Sequence, residues 1–298
     1  MLLPAAWAAA RWADAAPAEA LERVEVAPLD ADNARLLDQV HPHGWQAPSP
    51  APLYNMVVIG AGAGGLVTAA QSSKRGGRVA LIERGMMGGD CLNIGCVPSK
   101  ALLACAKRLQ QVRTAAEFGV GVGGEPSLDF GEVMGRMRRL RADIAEADSV
   151  QRFAMGPELG VDVFFGDAAF ASPSSVVVNG QTLNFKKATI ATGGRAAVPP
   201  IPGLATAPHR TNATIFNLQT LPRRLAVIGA GPIGCELAQA FAVFGTQTGR
   251  TPPARRPDPT LTLGRGRPQA RRCTCTTWLP RRWCARTLTP RLSSSRRW

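Results

Sequence analysis

The sequence lacks several features that define large classes of protein. No apolar run approaches the ~20 residues that a membrane-spanning helix needs, so no membrane partner is predicted. The seven cysteines are too few and too unevenly placed for a secreted disulfide framework. Cys273, Cys275 and Cys284 lie together without a histidine, which is a poor zinc site, so no metal site is predicted. These absences favour an intracellular protein.

Acidic residues are nearly absent from the last part of the chain. Residues 247–298 contain 13 Arg, no Lys and one acid, Asp258, and therefore carry most of the net charge of +14. This tail shows neither the period of a strand nor that of a helix, and we expect it to be irregular and disordered. Nucleic-acid binding through its arginines and Trp278, Trp283 and Trp298 is one interpretation. It is disfavoured because the tail contains no recognisable binding module.

The beginning of the chain also lacks a strong pattern. Residues 1–53 are predicted to form an N-terminal extension, with a short helix near Asp30–Val40 and a Pro-rich linker over Pro42–Pro52. The Ala-rich start has one early basic residue, Arg11, as some targeting peptides do, but acids follow it closely. A cytoplasmic location is expected, or an organellar one if this segment is a targeting peptide.

A glycine-rich loop follows the first clear strand. Met56–Ile59 is an apolar run typical of a buried parallel strand, and Gly60, Gly62 and Gly65 come directly after it, at the start of a predicted helix. Glu83 closes the next predicted strand, where a carboxylate would hold a ribose hydroxyl. The glycines would allow a tight turn, approach of a pyrophosphate, and close helix–strand packing. This pattern predicts a dinucleotide site.

The same arrangement recurs later in the chain. Leu225–Ile228 is a predicted strand, and Gly229, Gly231 and Gly234 follow it at the start of a helix. Such an internal repeat is typical of an enzyme that binds two nucleotides. No strand is predicted after Gly245, and no acid or arginine closes one, so this second site is predicted to be incomplete.

Two cysteines lie five positions apart just after the first loop. Because five residues turn a helix through about 500°, Cys91 and Cys96 cannot share one face of a regular helix. To meet as a disulfide, Cys91 must lie in a loop and Cys96 at the start of a helix, with Asn93 and Gly95 in the turn and Pro98 at a first helical position. A thiol at a helix N-terminus gains thiolate character. The alternative is two unrelated buried cysteines.

Other patterns predict the remaining elements. A helix is expected over Asp129–Arg152, strands over Val161–Phe165 and Ala188–Ala191, and a hairpin at Asn179-Gly180. Pro199–Pro202 is expected to cross between domains.

Together, the motifs resemble the class I pyridine nucleotide–disulfide oxidoreductases, which include dihydrolipoamide dehydrogenase, glutathione reductase and mercuric reductase. The resemblance covers about Tyr54–Gly245 and is most specific at Gly88–Lys100. The tracts Val161–Gly166, Ala188–Arg195 and Pro200–Gly203 are most similar to the mercuric-reductase-like branch.

The resemblance implies an α/β fold with an irregular basic tail. A Rossmann-type FAD-binding domain with the redox disulfide is expected over residues 54–203, and the beginning of a second Rossmann-type domain, for NAD(P), over residues 204–246. Residues 247–298 would be the tail.

The resemblance also implies roles for individual residues. Cys96 would be the thiol next to the flavin, Cys91 the thiol that exchanges with substrate, and Lys100 would pair with Glu236 near the reactive end of the isoalloxazine. The implied FAD-binding residues are Gly60, Gly62, Gly65, Glu83, Gly89, Lys100, Ala168, Thr192 and Gly193. The implied NAD(P)H-binding residues are Gly229, Gly231 and Gly234.

The implied function is electron transfer from NAD(P)H through FAD to the Cys91–Cys96 disulfide, and then to a small disulfide or a metal ion such as Hg(II). Family members are homodimers whose C-terminal domain supplies an acid–base histidine to the partner subunit. This chain has only His41, His43 and His209, and none precedes a glutamate in the family's spacing. A non-catalytic FAD-binding remnant, truncated or frameshifted near residue 247, is therefore the alternative.

Overall fold

The computed structural model describes residues 25–124 and 126–251, which form two sheets and the helices around them. The strands are β1 (Tyr54–Ile59), β2 (Val79–Glu83), β3 (Asp162–Phe165), β4 (Ala168–Ser172), β5 (Ser175–Val178), β6 (Gln181–Ile190), β7 (Arg224–Ile228) and β8 (Gln247–Thr251). The first six form one sheet in the order β3-β2-β1-β6-β5-β4, and β7 pairs with β8.

Seven α-helices connect and cover these strands in the described part of the chain. They are α1 (Ala31–Val40), α2 (Ala63–Lys74), α3 (Gly89–Ile94), α4 (Cys96–Arg113), α5 (Phe130–Ala145), α6 (Asn212–Ile215) and α7 (Pro232–Phe244). The predicted α/β class with a Rossmann-type first domain is confirmed.

The parallel part of the sheet carries the first glycine loop. β1 pairs in parallel with β2 on one side and with β6 on the other, and β2 pairs in parallel with β3. Val57 and Val58 of β1 are fully buried on opposite faces, as their continuous apolar run predicts. Helix α2 connects β1 to β2, so the loop after β1 opens at the carboxyl edge of this sheet.

Strand β6 is longer than predicted. The expected hairpin at Asn179-Gly180 is confirmed, because both residues have positive φ and Val178 pairs with Gln181. The strand predicted separately over Ala188–Ala191 is instead the end of β6, which begins at Gln181. β6 pairs antiparallel with β5 near its start and parallel with β1 near its end. β6 thereby joins the parallel strands to the antiparallel strands in one sheet, which the sequence did not predict.

The helix predicted over Asp129–Arg152 stops early. Asp129 caps α5 by accepting a hydrogen bond from the backbone of Glu132, but the α-helix ends at Ala145. Ser149 has an extended backbone, and its hydroxyl accepts from the backbone of Arg152. A new helical turn therefore begins after Ser149, because this side chain caps it.

The helix predicted near Asp30–Val40 is present as α1, and the segment before β1 is packed onto the sheet. Leu36 and Val40 of α1 are fully buried in the main core. The carbonyl of Val40 accepts from Met87 N at 2.9 Å, and the indole of Trp45 donates to the carbonyl of Val163 at 3.1 Å. These contacts are nonlocal, so the local sequence does not reveal them. Residues 1–24 of the predicted extension lie outside the described residues.

A strand follows the second glycine loop, although none was predicted there. Gly245 has a φ of +107° and ends α7. Gln247 N then donates to the carbonyl of Arg223 at 3.0 Å, and β8 runs parallel to β7 from there. β8 forms because the backbone of β7 offers pairing groups, even though its own residues are polar. The rest of the predicted tail, from residue 252, lies outside the described residues.

Candidate functional site

The first glycine loop is built by two close backbone approaches. A Cβ on Gly60, whose φ is +99°, would lie 2.2 Å from the carbonyl oxygen of Ala191. A Cβ on Gly65 would lie 1.8 Å from the carbonyl oxygen of Gly60. Both positions therefore require glycine for steric reasons, and the segment that leaves β6 packs directly against the loop.

The helix after this loop offers unpaired donors. Gly62 is the N-cap of α2 and supplies no side-chain hydrogen bond, so side chains do not cap the first amides of the 12-residue helix. The nearest atom to a Cβ on Gly62 is the Cα of Gly89, at 3.8 Å. A free helix N-terminus beside an open glycine is a favourable place for a phosphate group.

Glu83 connects the end of β2 to the loop. One carboxylate oxygen accepts from Ala61 N at 2.7 Å, and the other accepts from Gly85 N at 2.7 Å. These bonds fix the carboxylate at the carboxyl edge of the sheet, next to the loop that follows β1. This is the position that the sequence predicted for a ribose-binding acid.

The cysteine segment begins on the same loop. Gly88 N donates to the carbonyl of Ala61 at 2.9 Å, and Gly62 and Gly88 form an isolated parallel bridge. A Cβ on Gly89 would lie 2.6 Å from the Cα of Gly62. The glycine loop and the start of α3 are thus in backbone contact, two residues before Cys91.

The two cysteines lie on consecutive helices. Cys96 begins α4, as predicted, but Cys91 lies within the short helix α3 and not in a loop. The helices separate at Gly95, where a Cβ would lie 2.7 Å from the carbonyl oxygen of Asp90. Both cysteines are present as thiols and not as a disulfide. Burial raises the pKa of Cys91, and the hydrogen bond with Cys96 raises it further.

Pro98 is the third residue of α4 rather than the first. The position still suits proline, because the first four amides of a helix have no partner within the helix.

A second cluster joins α4 to α7. Lys100 Nζ donates to Glu236 Oε1 at 2.7 Å, and the hydroxyl of Ser99 donates to Oε2 at 2.8 Å. The hydrogen bond from Lys100 lowers the pKa of Glu236, and the same bond raises the pKa of Lys100. The predicted Lys100–Glu236 contact is therefore present. Ser99 was not predicted, and nothing in the local sequence distinguishes it from other serines.

Two of the remaining predicted residues of the first site lie beside the loop. Thr192 and Gly193 follow Ala191 and are exposed, and a Cβ on Gly60 would lie 3.1 Å from the Cα of Thr192. Ala168 begins β4, which pairs antiparallel with β5 at the edge of the same six-stranded sheet. Arg195 also extends this region, because its guanidinium pairs with Asp90 at 3.2 Å.

The second glycine loop repeats the construction of the first. Gly231 is the N-cap of α7, Gly229 has a φ of +109°, and a Cβ on Gly234 would lie 2.7 Å from the carbonyl oxygen of Gly229. In register, Ile228 pairs with Thr251 as Ile59 pairs with Ile82. The position equivalent to Glu83 is thus residue 252, which is a proline in the sequence and has no carboxylate.

A buried arginine supports the cysteine segment from behind. Arg141 of α5 is 2% exposed, and its guanidinium donates to the carbonyl of Asn93 at 2.8 Å and to the side chain of Asn33 at 2.6 Å. Burial lowers its pKa to about 10. Asn93 lies on α3 with Cys91, so Arg141 links α1, α5 and α3. This role of Arg141 was not predicted from the sequence, because α5 carries several arginines and the partner residues are distant.

Among the described residues, no cluster of three or more His, Cys, Asp or Glu side chains is arranged to hold a metal ion. In the same residues, every helix is too short or too polar to span a bilayer.

The sequence matches known proteins over the region that contains these features. Residues 54–256 match the family of pyridine nucleotide-disulphide oxidoreductases. Dihydrolipoyl dehydrogenase from Acholeplasma laidlawii is 35% identical over 198 residues, which are 65% of this chain and 58% of the relative. Mercuric reductase from Staphylococcus aureus is 34% identical over 194 residues, which are 65% of this chain and 35% of the relative.

A solved structure agrees with this match. The HOCl-induced flavoprotein disulfide reductase RclA from Escherichia coli is 33% identical, with a TM-score of 0.56, over 66% of this chain and 41% of that chain. The chain therefore spans between 35% and 58% of the length of these three proteins. Because the family match covers more than half of its residues, the chain belongs to the FAD-dependent pyridine nucleotide-disulphide oxidoreductase family.

Proposed function

We propose that this chain binds FAD at the first glycine loop and uses Cys91 and Cys96 as a redox pair that accepts electrons originating from NAD(P)H. The observation that carries the proposal is the backbone contact between the loop and the cysteine segment, at Gly62–Gly88 and Gly62–Gly89. A dinucleotide on the loop would lie next to the thiols. Disulfides, or a metal ion such as Hg(II), are the proposed acceptors.

The loop has the features that FAD would need. The uncapped amides at the start of α2 would bind the pyrophosphate, the open side of Gly62 would admit it, and the fixed carboxylate of Glu83 would bind a ribose hydroxyl. Gly89, Thr192 and Gly193 would line the same site. When bound, FAD would supply two-electron transfer between a nicotinamide and a disulfide.

The cysteines would carry the redox change in the protein. Two electrons and two protons convert the disulfide to two thiols. When the acceptor reoxidises the thiols, it takes up the two electrons, and the two protons pass to solvent or to the reduced acceptor. We assign substrate exchange to Cys91 and flavin contact to Cys96, which begins α4.

Lys100 and Glu236 would fix the relative positions of the two loops. The pair joins helix α4, which begins with Cys96, to helix α7, which begins after the second glycine loop. The ammonium of Lys100 would place a positive charge near the proposed flavin. Gly229, Gly231 and Gly234 would bind the pyrophosphate of NAD(P)H.

A second candidate function is FAD binding without turnover. It is favoured by the second loop, where the position equivalent to Glu83 is Pro252 and no ribose-binding acid follows β8.

One experiment separates these functions. The purified full-length chain is assayed for bound FAD and then titrated anaerobically with NADPH, followed by lipoamide, glutathione disulfide or Hg(II). Flavin reduction with acceptor turnover supports the redox function, whereas a yellow protein that NADPH does not reduce supports the second candidate. Colourless protein that takes up no FAD contradicts both. Cys96→Ser should abolish acceptor turnover, because it removes one thiol of the proposed redox pair. Cys105→Ser, which changes another cysteine of α4, is the matched control and should keep turnover.

A further inference from the structure

A histidine from the segment before β1 lies at the carboxyl edge of the parallel sheet. Strands β1, β2 and β3 end side by side at Ile59, Glu83 and Phe165. His41 follows helix α1, and its Nδ1 lies 2.5 Å from the carbonyl oxygen of Gly85, two residues after Glu83. Its ring centroid lies 4.6 Å from that of Phe165. One side chain therefore contacts the ends of two neighbouring strands.

The position of His41 is fixed by its own backbone and by its neighbours. His41 N donates to the carbonyl of Leu37 at 2.9 Å, which ends α1, and Val40 accepts from Met87 N. A few residues later, the indole of Trp45 is bonded to β3 at the carbonyl of Val163. The imidazole is exposed although the flanking chain is held on both sides.

The hydrogen bond to Gly85 indicates which ring nitrogen of His41 carries a hydrogen. A carbonyl oxygen only accepts, so Nδ1 of His41 carries the proton that is donated to Gly85. In the neutral ring, Nε2 is then an acceptor. The residue offers both an aromatic face and a hydrogen-bond acceptor at this edge.

The order of the strands indicates what would lie there. In the proposed function, the pyrophosphate lies on the loop after β1 and the ribose at Glu83, at the end of β2. A base attached to that ribose extends toward the next strand, β3, whose end is Phe165. We infer that His41 is part of the binding site for the adenosine half of FAD, where its ring would contact the base. This inference rests on the proposed function.

The test compares two flavins on the full-length apoprotein. FAD and FMN are titrated by isothermal calorimetry against the unmodified chain, His41→Ala and His41→Gln. Both variants are expected to bind FAD about tenfold more weakly, as for the loss of one aromatic contact with a base. Affinity for FMN should stay the same, because FMN has no adenosine. His43→Ala, which changes an exposed histidine two residues away, should bind FAD normally.

Each outcome is decisive. Equal FAD affinity in the unmodified chain and in both variants overturns the role of His41 and leaves the proposed function intact. Equal weakening for FAD and FMN, together with a lower unfolding temperature, shows that His41 only anchors α1 and also overturns the inference. If the unmodified chain binds no FAD, the proposed function fails and the inference fails with it.

Discussion

Two adjacent glycines of α2 should respond in opposite ways to the same substitution. In Gly65→Ala, the new methyl group would lie 1.8 Å from the carbonyl oxygen of Gly60, whereas carbon–oxygen contacts are ordinarily ~3.3 Å or more. The helix must therefore move away from β1 by about 1.5 Å. Overpacking of this kind costs about 1–3 kcal/mol. Gly64 has no atom within 4 Å of its Cβ position, so Gly64→Ala should stabilise the helix by up to about 1 kcal/mol.

Urea unfolding followed by circular dichroism measures both effects. With a denaturant slope of about 2 kcal/mol/M, Gly65→Ala should lower the midpoint by roughly 0.5–1.5 M, and Gly64→Ala should leave it unchanged or raise it slightly. Gly65→Ala should also weaken FAD binding, because the displaced helix carries the proposed phosphate-binding amides. A Gly65→Ala variant as stable as the unmodified chain would refute the steric account of the loop.

Three further predictions concern other contacts. Tyr54 is the sole tyrosine, and burial raises its pKa, so ultraviolet titration should show no phenolate near pH ~10. Burial of the neutral phenol of Tyr54 stabilises the fold fully below pH ~10, and this stabilisation is lost as pH rises toward the raised pKa. Ionisation of Tyr54 at the ordinary pKa of a tyrosine would contradict its burial. Glu236→Gln should cost only about 0.2–1 kcal/mol at neutral pH, because Lys100 is 58% exposed. Since the pKa of Glu236 is lowered, this stability is present above pH ~4.3 and is lost as pH falls further. A difference in unfolding free energy between Glu236→Gln and the unmodified chain that persists in acid would argue against the ion pair. Arg141→Met removes a buried guanidinium together with its two hydrogen bonds and should lower the free energy of unfolding by about 3 kcal/mol. The control Arg139→Met, at an exposed position, should lower it little. Equal effects of the two substitutions would show that the hydrogen bonds of Arg141 do not stabilise the fold.

The sequence predicted best those features that depend on local backbone geometry. Gly60 and Gly65 are recognisable because a tight turn and a close helix–strand contact admit only glycine. The hairpin at Asn179-Gly180 is similar, since both residues take positive φ. The contact between Lys100 and Glu236, 136 residues apart, was predictable only through the family resemblance.

Features that depend on distant partners were missed. Helix α1 was predicted near Asp30–Val40, but its packing onto the sheet was not, because the bonds of Val40 with Met87 and of Trp45 with β3 are not apparent in the sequence near residue 40. β8 forms from polar residues because β7 supplies its hydrogen-bond partners. The burial of Arg141 depends on Asn33 and Asn93, more than 40 residues away. In each case tertiary pairing decides the local structure.

In the proposed function, Cys91 and Cys96 exchange electrons with a flavin bound at the first glycine loop. Its most direct test is anaerobic titration of the FAD-loaded full-length chain with NADPH, with visible absorbance and free thiols measured together. We predict long-wavelength absorbance from a thiolate next to flavin and the release of two thiols per chain, with both changes lost in Cys96→Ser and kept in Cys105→Ser. A FAD-loaded chain whose absorbance and thiol count do not change with NADPH would contradict the account.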